Sequence, residues 1–439
     1  MTDMELLQQV RVIDPDGGID RRADVAIADG KIIAIETQIT DYPSNTAIVD
    51  GKNLVLGSGL VDLYSHSGEP GNESRETLAD LLASGLAGGF TQIAILPDTI
   101  PAIDNANLIT SLHQKAKYLH YQTLPQIHFW GAISPSQDSK KMNELAELKD
   151  TAVGFTDDYN LGNLKLLKQV LEYIQPWQKP IAIALDRNEL TNNGAIREGA
   201  MSISAGLLGN PAFSEAAAIA AVLEIVAAID TPVHIMRVST QRGVELIADA
   251  KQRGVPVTAS TTWMHLLFNT NHSSSYDPNL RLEPPLGNKN DQIALIDGVE
   301  QGIIDAIAID HQAYTYEEKT VPFAQAPPGV IGLQLALPLL WQKFVTTGKW
   351  SALQLWQALS SRPRQCLQQP PIKITPHQPT ELVLFHTQQT WIANSQNLKT
   401  PAQNSPWYGQ EIIGRVIKTV ISSQKSKLRS DRANRAVQN

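Results

Sequence analysis

The middle of the chain alternates short apolar runs with longer segments whose apolar residues recur every three to four positions. Eight such runs occur, at Leu60–Tyr64, Thr91–Leu96, Gln126–Gly131, Ala152–Thr156, Pro180–Leu185, Pro232–Val238, Pro256–Ser260 and Ala306–Ile309. The segments between them predict helices at 76–86, 163–174, 214–229, 242–252 and 292–301, the third with Ser214 as N-cap. Eight β/α repeats across about 250 residues predict a (β/α)8 TIM barrel. An open doubly wound sheet is the alternative.

Both ends of the chain show a different pattern, with short alternating apolar runs separated by turns. The runs are Val10–Ile13, Asp24–Ile27, Lys31–Ile35, Glu381–Phe385 and Gly414–Ile421. Asp29-Gly30 between two of them predicts a hairpin, because glycine supplies the positive φ that a tight turn requires. We therefore predict a small β-sandwich domain built from residues 1–56 and 375–421, around a barrel domain of residues 57–374.

Composition narrows the class of protein. Hydrophobic residues make up 42% of the 439 positions and charged residues 18%, which is typical of a globular chain, and the first residues show no secretion signal, so we expect a cytoplasmic protein. The net charge of −8 argues against a nucleic-acid partner, and no apolar run predicts a membrane span. Cys366 is the single cysteine and is expected to be a buried structural thiol. Residues 422–439 are basic and polar, which predicts a disordered tail.

Polar residues follow the predicted strands where each strand ends. In chain order they are Tyr64 and His66, Asp98, Asp157 and Asp158, Asp186 with the apolar Ala184 two residues before it, Arg237, His265, and Asp310 with His311. The carboxyl ends of barrel strands converge on one rim, so these side chains are expected to meet. Carboxylates and histidines from several strands are how a barrel holds a hydrolytic metal ion.

The chain resembles dihydroorotases of the amidohydrolase superfamily over nearly its whole length. The matching stretches are Asp62–Gly71, Ala87–Thr91, Pro97–Asn105, Phe155–Asp158, Val238–Thr240, Glu283–Leu286, Ile304–His311, Glu317–Phe323 and Ala326–Leu333. This resemblance implies the amidohydrolase type of barrel and a place in pyrimidine biosynthesis.

Carried over residue by residue, the resemblance implies that the metal site has been degraded. The family's ligand positions fall on Tyr64, His66, Asp157, Ala184, Arg237 and Asp310, the last also being the position of the general base. Three ligands are kept, namely His66, Asp157 and Asp310. Alanine has no donor atom, tyrosine would have to bind as a phenolate, and arginine is a permanent cation. We expect no cofactor here, or zinc if the protein is an active enzyme.

The positions that hold the substrate in the family have changed as well. In the family, an arginine and an asparagine bind the carboxylate of dihydroorotate, and the resemblance aligns them with Gly68 and Asp98. It also aligns a second family asparagine with Glu283 and a family histidine with Tyr314. Loss of a charge-assisted contact and gain of a like charge both weaken binding of an anion. Dihydroorotate is expected to bind poorly.

Arg237 suggests what replaces the metal. Asp157 and Asp310 would face each other across the rim, and we expect the guanidinium of Arg237 to neutralise both carboxylates. His66 could be a remnant that forms a hydrogen bond inside the barrel or a weak ligand, and Asp186 could be a displaced one.

Three classes of function remain open from the sequence. The first is a non-catalytic dihydroorotase homologue that acts as a structural partner of aspartate transcarbamoylase, because the resemblance implies that some family members are inactive scaffolds of that enzyme. The second is an active zinc-dependent dihydroorotase or another cyclic-amide hydrolase. The third is a small-molecule binding module. The first is favoured because metal and substrate positions have changed together. A homo-oligomer is expected from the resemblance.

Overall fold

The computed structural model describes residues 4–28, 30–119, 124–157, 163–185, 188–191, 193–378 and 381–421. The strands in these ranges are β1 Met4–Asp14, β2 Ile19–Ala28, β3 Lys31–Glu36, β4 Ala47–Asp50, β5 Leu54–Ser58, β6 Leu60–Ser65, β7 Phe90–Ile95, β8 Gln126–Ala132, β9 Gly154–Thr156, β10 Ile181–Ala184, β11 Ile196–Arg197, β12 Gly209–Asn210, β13 Val233–Met236, β14 Val257–Thr262, β15 Ala306–Ala308, β16 Glu381–Ile392 and β17 Glu411–Ile421. Some residues used in the sequence predictions lie outside the described ranges, namely Asp29, Asp158, Asp186 and residues 422–439.

Helices alternate with the central strands as the apolar pattern predicts. They are α1 Leu78–Gly88, α2 Ala106–Tyr118, α3 Leu145–Leu148, α4 Leu164–Ile174, α5 Asn188–Thr191, α6 Ala200–Ala205, α7 Ala212–Ile229, α8 Gln241–Gln252, α9 Trp263–Leu267, α10 Lys289–Gln301, α11 Tyr316–Lys319, α12 Ala336–Leu340, α13 Ala352–Trp356 and α14 Arg362–Cys366. The predicted N-cap Ser214 is wrong, because α7 begins two residues earlier, after Pro211. Ser214 Oγ instead donates to Pro211 O at 2.8 Å, inside the first turn.

Eight parallel strands form the barrel, in the order β6, β7, β8, β9, β10, β13, β14 and β15. The first and last strands are joined by three hydrogen bonds: Asp310 N donates to Tyr64 O at 3.2 Å, His66 N to His311 O at 2.9 Å, and Ile309 N to Asp62 Oδ1 at 2.9 Å. These bonds bring the ends of β6 and β15 together. The TIM barrel is confirmed, and the open sheet is excluded.

The barrel core explains why its strands are almost wholly apolar. All six residues of β6 are buried, since one face of the strand points into the barrel and the other packs under the helices. Inside the barrel, Val61, Leu63, Tyr64, Trp130 and Met236 form one buried cluster. The site therefore lies on a rigid, closely packed support.

Helix α7 is long and apolar enough to cross a membrane by length and composition. In this fold it packs against α4 and α8 on the outside of the barrel. Its buried face includes Ala218, Ile219, Val222, Leu223 and Val226. The burial of this face accounts for its apolar composition.

The two ends of the chain join, as predicted, and the structure has one seven-stranded sheet where the sequence predicted a small β-sandwich. Strand β16 pairs antiparallel with β5 and β17, which gives the order β17, β16, β5, β1, β2, β3. Strand β4 pairs with the first half of β1, and β5 with the second half, so the sheet branches near Gln9, where φ is 55°. Gly30 has the positive φ, 68°, that the hairpin between β2 and β3 requires.

Candidate functional site at the barrel mouth

Arg237 and Asp310 form a buried ion pair at the carboxyl ends of β13 and β15. Arg237 Nε donates to Asp310 Oδ2 at 2.8 Å and Nη2 to Oδ1 at 2.7 Å. Arg237 is 2% exposed. Burial opposes ionisation of Asp310, but the adjacent guanidinium outweighs it and holds the pKa of that carboxyl well below its ordinary value. The pair is the two-pronged arginine–carboxylate contact, which is stronger than a neutral hydrogen bond.

His66 lies between this ion pair and Asp98. Its Nδ1 is 2.6 Å from Asp98 Oδ2, and its Nε2 is 3.3 Å from Arg237 Nη2. The same Nε2 lies 3.4 Å from Asp310 Oδ1, so the ring stands between two carboxylates and a guanidinium. Both ring nitrogens are thereby engaged by protein groups. The hydrogen bonds of His66 are compatible with the remnant, and the choice between a remnant and a weak ligand stays a prediction.

Tyr64 is bound inside the barrel by a chain of polar groups. Its hydroxyl accepts a hydrogen bond from Arg237 N at 3.1 Å and lies 2.8 Å from Ser260 Oγ. Ser260 Oγ in turn lies 2.8 Å from His234 Nε2. Burial raises the pKa of the Tyr64 phenol well above its ordinary value, with the charge of Asp310 adding to this effect, so the phenolate that could bind a metal is disfavoured.

Asp157 is buried and forms hydrogen bonds with Ser134. Ser134 N donates to Asp157 Oδ1 at 3.1 Å, and Ser134 Oγ donates to Oδ2. Burial raises the pKa of Asp157 to about 6, although the bonds from Ser134 act in the opposite direction. The expectation that Arg237 pairs with both carboxylates is therefore wrong for Asp157, because the hydrogen bonds that the structure describes for this carboxylate come from Ser134.

The described residues do not fit a zinc ion. They contain no cluster of three or more His, Cys, Asp or Glu side chains that could hold a metal. Ala184 is buried in the barrel wall, and the position from which β13 would supply a histidine carries the guanidinium of Arg237. A cation bound to Asp310 by two hydrogen bonds opposes a second cation at the same place.

The two positions that bind the substrate carboxylate in the family are remodelled. A Cβ atom on Gly68 would lie 2.4 Å from Glu76 O and 2.7 Å from Asn72 O, so the loop has closed around the glycine. Asn72 N donates to Gly68 O at 2.6 Å across the same turn. Asp98 places a negative charge beside His66, and its Oδ1 is buried without a partner among the described residues. Neither residue offers a donor to an anionic ligand.

The other two substrate positions are engaged with cations of the protein. Glu283 Oε2 accepts a hydrogen bond from Arg281 Nη1 at 3.1 Å. Arg75 and Lys319 lie over the ring of Tyr314, at 4.8 Å and 5.1 Å from its centre. Burial lowers the pKa of the Lys319 amine to about 7, and the charge of Arg281 contributes. Both substrate positions are therefore in contact with cationic side chains of the protein itself.

A small cavity lies beside Asp310. The described residues around Asp310, including Thr262, His265, Glu283 and Gln312, enclose a cavity of about 10 Å³. This is room for about one water molecule, whereas small-molecule pockets have about 300–1,000 Å³. The cavity that the described residues form beside Asp310 is too small for a cyclic substrate.

The remaining sequence candidates are structural. His311 lies 3.1 Å from Glu76 Oε2 and accepts a hydrogen bond from Gly332 N at 3.1 Å. His265 lies 2.8 Å from Thr262 Oγ1, and burial lowers its pKa to about 4. Cys366 is buried, as predicted, and burial raises the pKa of its thiol.

Sequence reasoning missed Ser134, Ser260 and the structural use of His234. Ser134 follows β8, and Ser260 and His234 lie within β14 and β13. Serine and threonine inside otherwise apolar barrel strands were the available signal, since a buried hydroxyl needs a partner.

The chain is similar in sequence to dihydroorotases and dihydroorotase-like proteins. The family model described as "Dihydro-orotase-like" matches residues 51–243. A "Probable dihydroorotase-like protein" of Synechocystis sp. (strain ATCC 27184 / PCC 6803 / Kazusa) is 42% identical over 436 residues, which cover 93% of this chain and 98% of that protein. A "Dihydroorotase" of Thermus aquaticus is 31% identical over 430 residues, covering 96% and 98%.

Solved structures support the fold. The L-hydantoinase (dihydropyrimidinase) from Arthrobacter aurescens superposes with a TM-score of 0.81 at 20% identity, covering 97% of this chain and 96% of that one. The dihydropyrimidinase from Brevibacillus agri superposes with a TM-score of 0.77 at 18% identity, covering 95% and 94%. At this level of identity, the superpositions establish the barrel and the terminal sheet, not the activity.

Proposed function

Since the chain belongs to the dihydroorotase-like family, we propose that it is a non-catalytic member of that family and acts as a structural partner of aspartate transcarbamoylase. The observation that carries the first half of the proposal is the ion pair between Arg237 and Asp310. Both oxygens of Asp310, the carboxylate at the position of the general base, accept hydrogen bonds from a guanidinium, which opposes transfer of a proton to this carboxylate from a water molecule.

The loss of the substrate site supports the same conclusion independently. An enzyme with a new substrate would keep its metal ligands and change its substrate contacts. Here Tyr64 and Arg237 occupy metal positions, while Gly68 and Asp98 occupy substrate positions. The closed turn around Gly68 and the small cavity beside Asp310 fit a barrel retained for its shape.

Complementation tests the absence of catalysis. A strain that lacks dihydroorotase should still need added pyrimidine when it expresses this protein, whereas expression of the Thermus aquaticus relative in the same vector should restore growth. Growth with this protein would overturn the proposal. Elemental analysis of protein purified without chelator should find less than one zinc ion per chain.

The partner is tested separately. Co-expression with the catalytic chain of aspartate transcarbamoylase from the same cell should give one complex in size-exclusion chromatography with light scattering. The support for this partner is the family resemblance, which implies that inactive members serve as scaffolds of that enzyme. Separate elution of the two proteins at micromolar concentration would reject the partner and leave the absence of catalysis untouched. The same measurement on the protein alone tests the expected homo-oligomer.

A further inference from the structure

We propose that the groove between α1 and β17 binds an acidic, extended segment of a partner protein. The groove has a volume of about 560 Å³ and is lined on one side by Leu86 and its neighbours in α1, and on the other by residues 415–419 of β17. It lies away from the barrel mouth, which is formed by the carboxyl ends of the strands. The C-terminal half of α1, which lines the groove, instead leads into the start of β7. The proposal does not depend on whether the barrel is catalytic.

The charge of the groove is opposite to that of the chain. Three of its lining residues are cationic, namely Lys399, Arg415 and Lys418, and none of the described lining residues is Asp or Glu. Lys418 is partly neutralised by Glu5, whose Oε2 lies 2.6 Å from Nζ. The described residues supply no carboxylate to Lys399 or Arg415. In a protein with a net charge of −8, this local excess of positive charge favours an acidic partner.

Arg415 is held in a position to bind a carboxylate. Its guanidinium lies 5.5 Å from the centre of the Trp391 ring, and Nη2 donates to Asn397 Oδ1 at 3.3 Å. Because the side chain is already ordered, less entropy is lost when it binds an anion. A guanidinium carries five N–H donors, so this single bond leaves several for a ligand.

The floor and edge of the groove favour a polypeptide. Strand β17 is the last strand of the terminal sheet, so one edge of its backbone has no neighbouring strand in that sheet. The side chains of Ile413 and Ile417 on this strand are 43% and 48% exposed. An edge strand with exposed apolar side chains is a template for an extended segment, and residues 415–419 span about five residues of such a segment. Acidic and apolar residues together would match both the cations and the isoleucines.

Fluorescence anisotropy with a labelled peptide of alternating Glu and Leu, about ten residues long to exceed the five-residue span, tests the proposal on the full chain. The peptide should bind the wild-type protein, and binding should weaken when salt is raised from about 0.1 M to 1 M. Lys399→Glu combined with Arg415→Glu should weaken binding about tenfold or more. The matched control, Lys140→Glu combined with Lys141→Glu, makes the same change of charge in the loop after β8 and should bind like wild type.

Ile417→Asp provides a second variant, because this exposed side chain can change without loss of the fold, and it should also weaken binding. Circular dichroism and thermal unfolding confirm that each variant is folded. Equal binding by the groove variants and the control would overturn the proposal. So would binding of a single-stranded oligonucleotide as tight as that of the peptide, or no binding of the peptide to wild type.

Discussion

Arg237 binds both carboxylate oxygens of Asp310, at 2.8 Å and 2.7 Å, from the strand position where the family places a metal-ligating histidine. The pair joins a buried guanidinium to a carboxylate whose side chain is 17% exposed. Arg237 N also donates a hydrogen bond to the hydroxyl of Tyr64, so residues at two of the changed metal positions are in direct contact. The substitutions at Tyr64 and Arg237 therefore act as one structural unit.

Asp310→Asn should destabilise the fold, because it removes the charged carboxylate that accepts two hydrogen bonds from the buried guanidinium of Arg237. We expect a loss of about 3 kcal/mol in the free energy of unfolding, measured with urea at neutral pH. Glu318→Gln is the matched control: it removes the partner of Arg75 from a bridge that is about a third exposed, and it should cost less than about 1 kcal/mol. Equal losses in the two variants would contradict a special role for the buried pair.

Restoring three histidines should restore metal binding without restoring activity. The variant Tyr64→His, Ala184→His and Arg237→His removes the guanidinium and returns donor atoms to three strands of the barrel. Elemental analysis after dialysis against zinc should find more zinc per chain than in wild type, and thermal unfolding should shift upward with zinc. Turnover of dihydroorotate should stay at background, because Gly68 and Asp98 still offer no donor. A triple variant that binds no more zinc than wild type would show that the site is closed by more than these side chains.

Asp157→Asn should alter the dependence of stability on pH. The pKa of Asp157 is about 6 in the folded chain, above the value of about 4 expected when unfolded, so the fold favours the protonated form. Its contribution to stability is full below pH of about 4 and is lost as pH rises through about 6. Unfolding free energies at pH 5 and pH 8 should therefore differ less in Asp157→Asn than in wild type, by about 1.4 kcal/mol. An unchanged difference would mean that Asp157 does not titrate in this range.

Gly68→Ala should destabilise the loop after β6. The new Cβ would lie 2.4 Å from Glu76 O, so the backbone must shift, and we expect a loss of about 1–3 kcal/mol in unfolding free energy. Gly298→Ala in α10 is the matched control, since its Cβ would come no closer than 3.2 Å to a neighbour and alanine favours helix. A Gly68→Ala protein as stable as wild type would show that the loop can open enough to hold a side chain.

The sequence by itself determined the barrel and the terminal sheet. Eight apolar runs at regular spacing predict eight strands because a strand buried on both faces must be apolar throughout, and all eight are present. The pairing of Arg237 with Asp310 was also within reach, because the ends of barrel strands converge on one rim. The changed residues at Tyr64, Ala184 and Gly68 could be named from the family resemblance alone.

Only the tertiary structure decided which partners the side chains at the family's metal positions bind. Asp157 binds Ser134 instead of Arg237, and His66 turns one nitrogen to Asp98 and the other to Arg237. A sequence places each of these side chains at a strand end, but it does not give the direction of the side chain or the nearest hydroxyl. Buried polar groups take whichever partner restores the hydrogen bonds lost to water, and that choice depends on distances of a few ångströms between residues far apart in the chain.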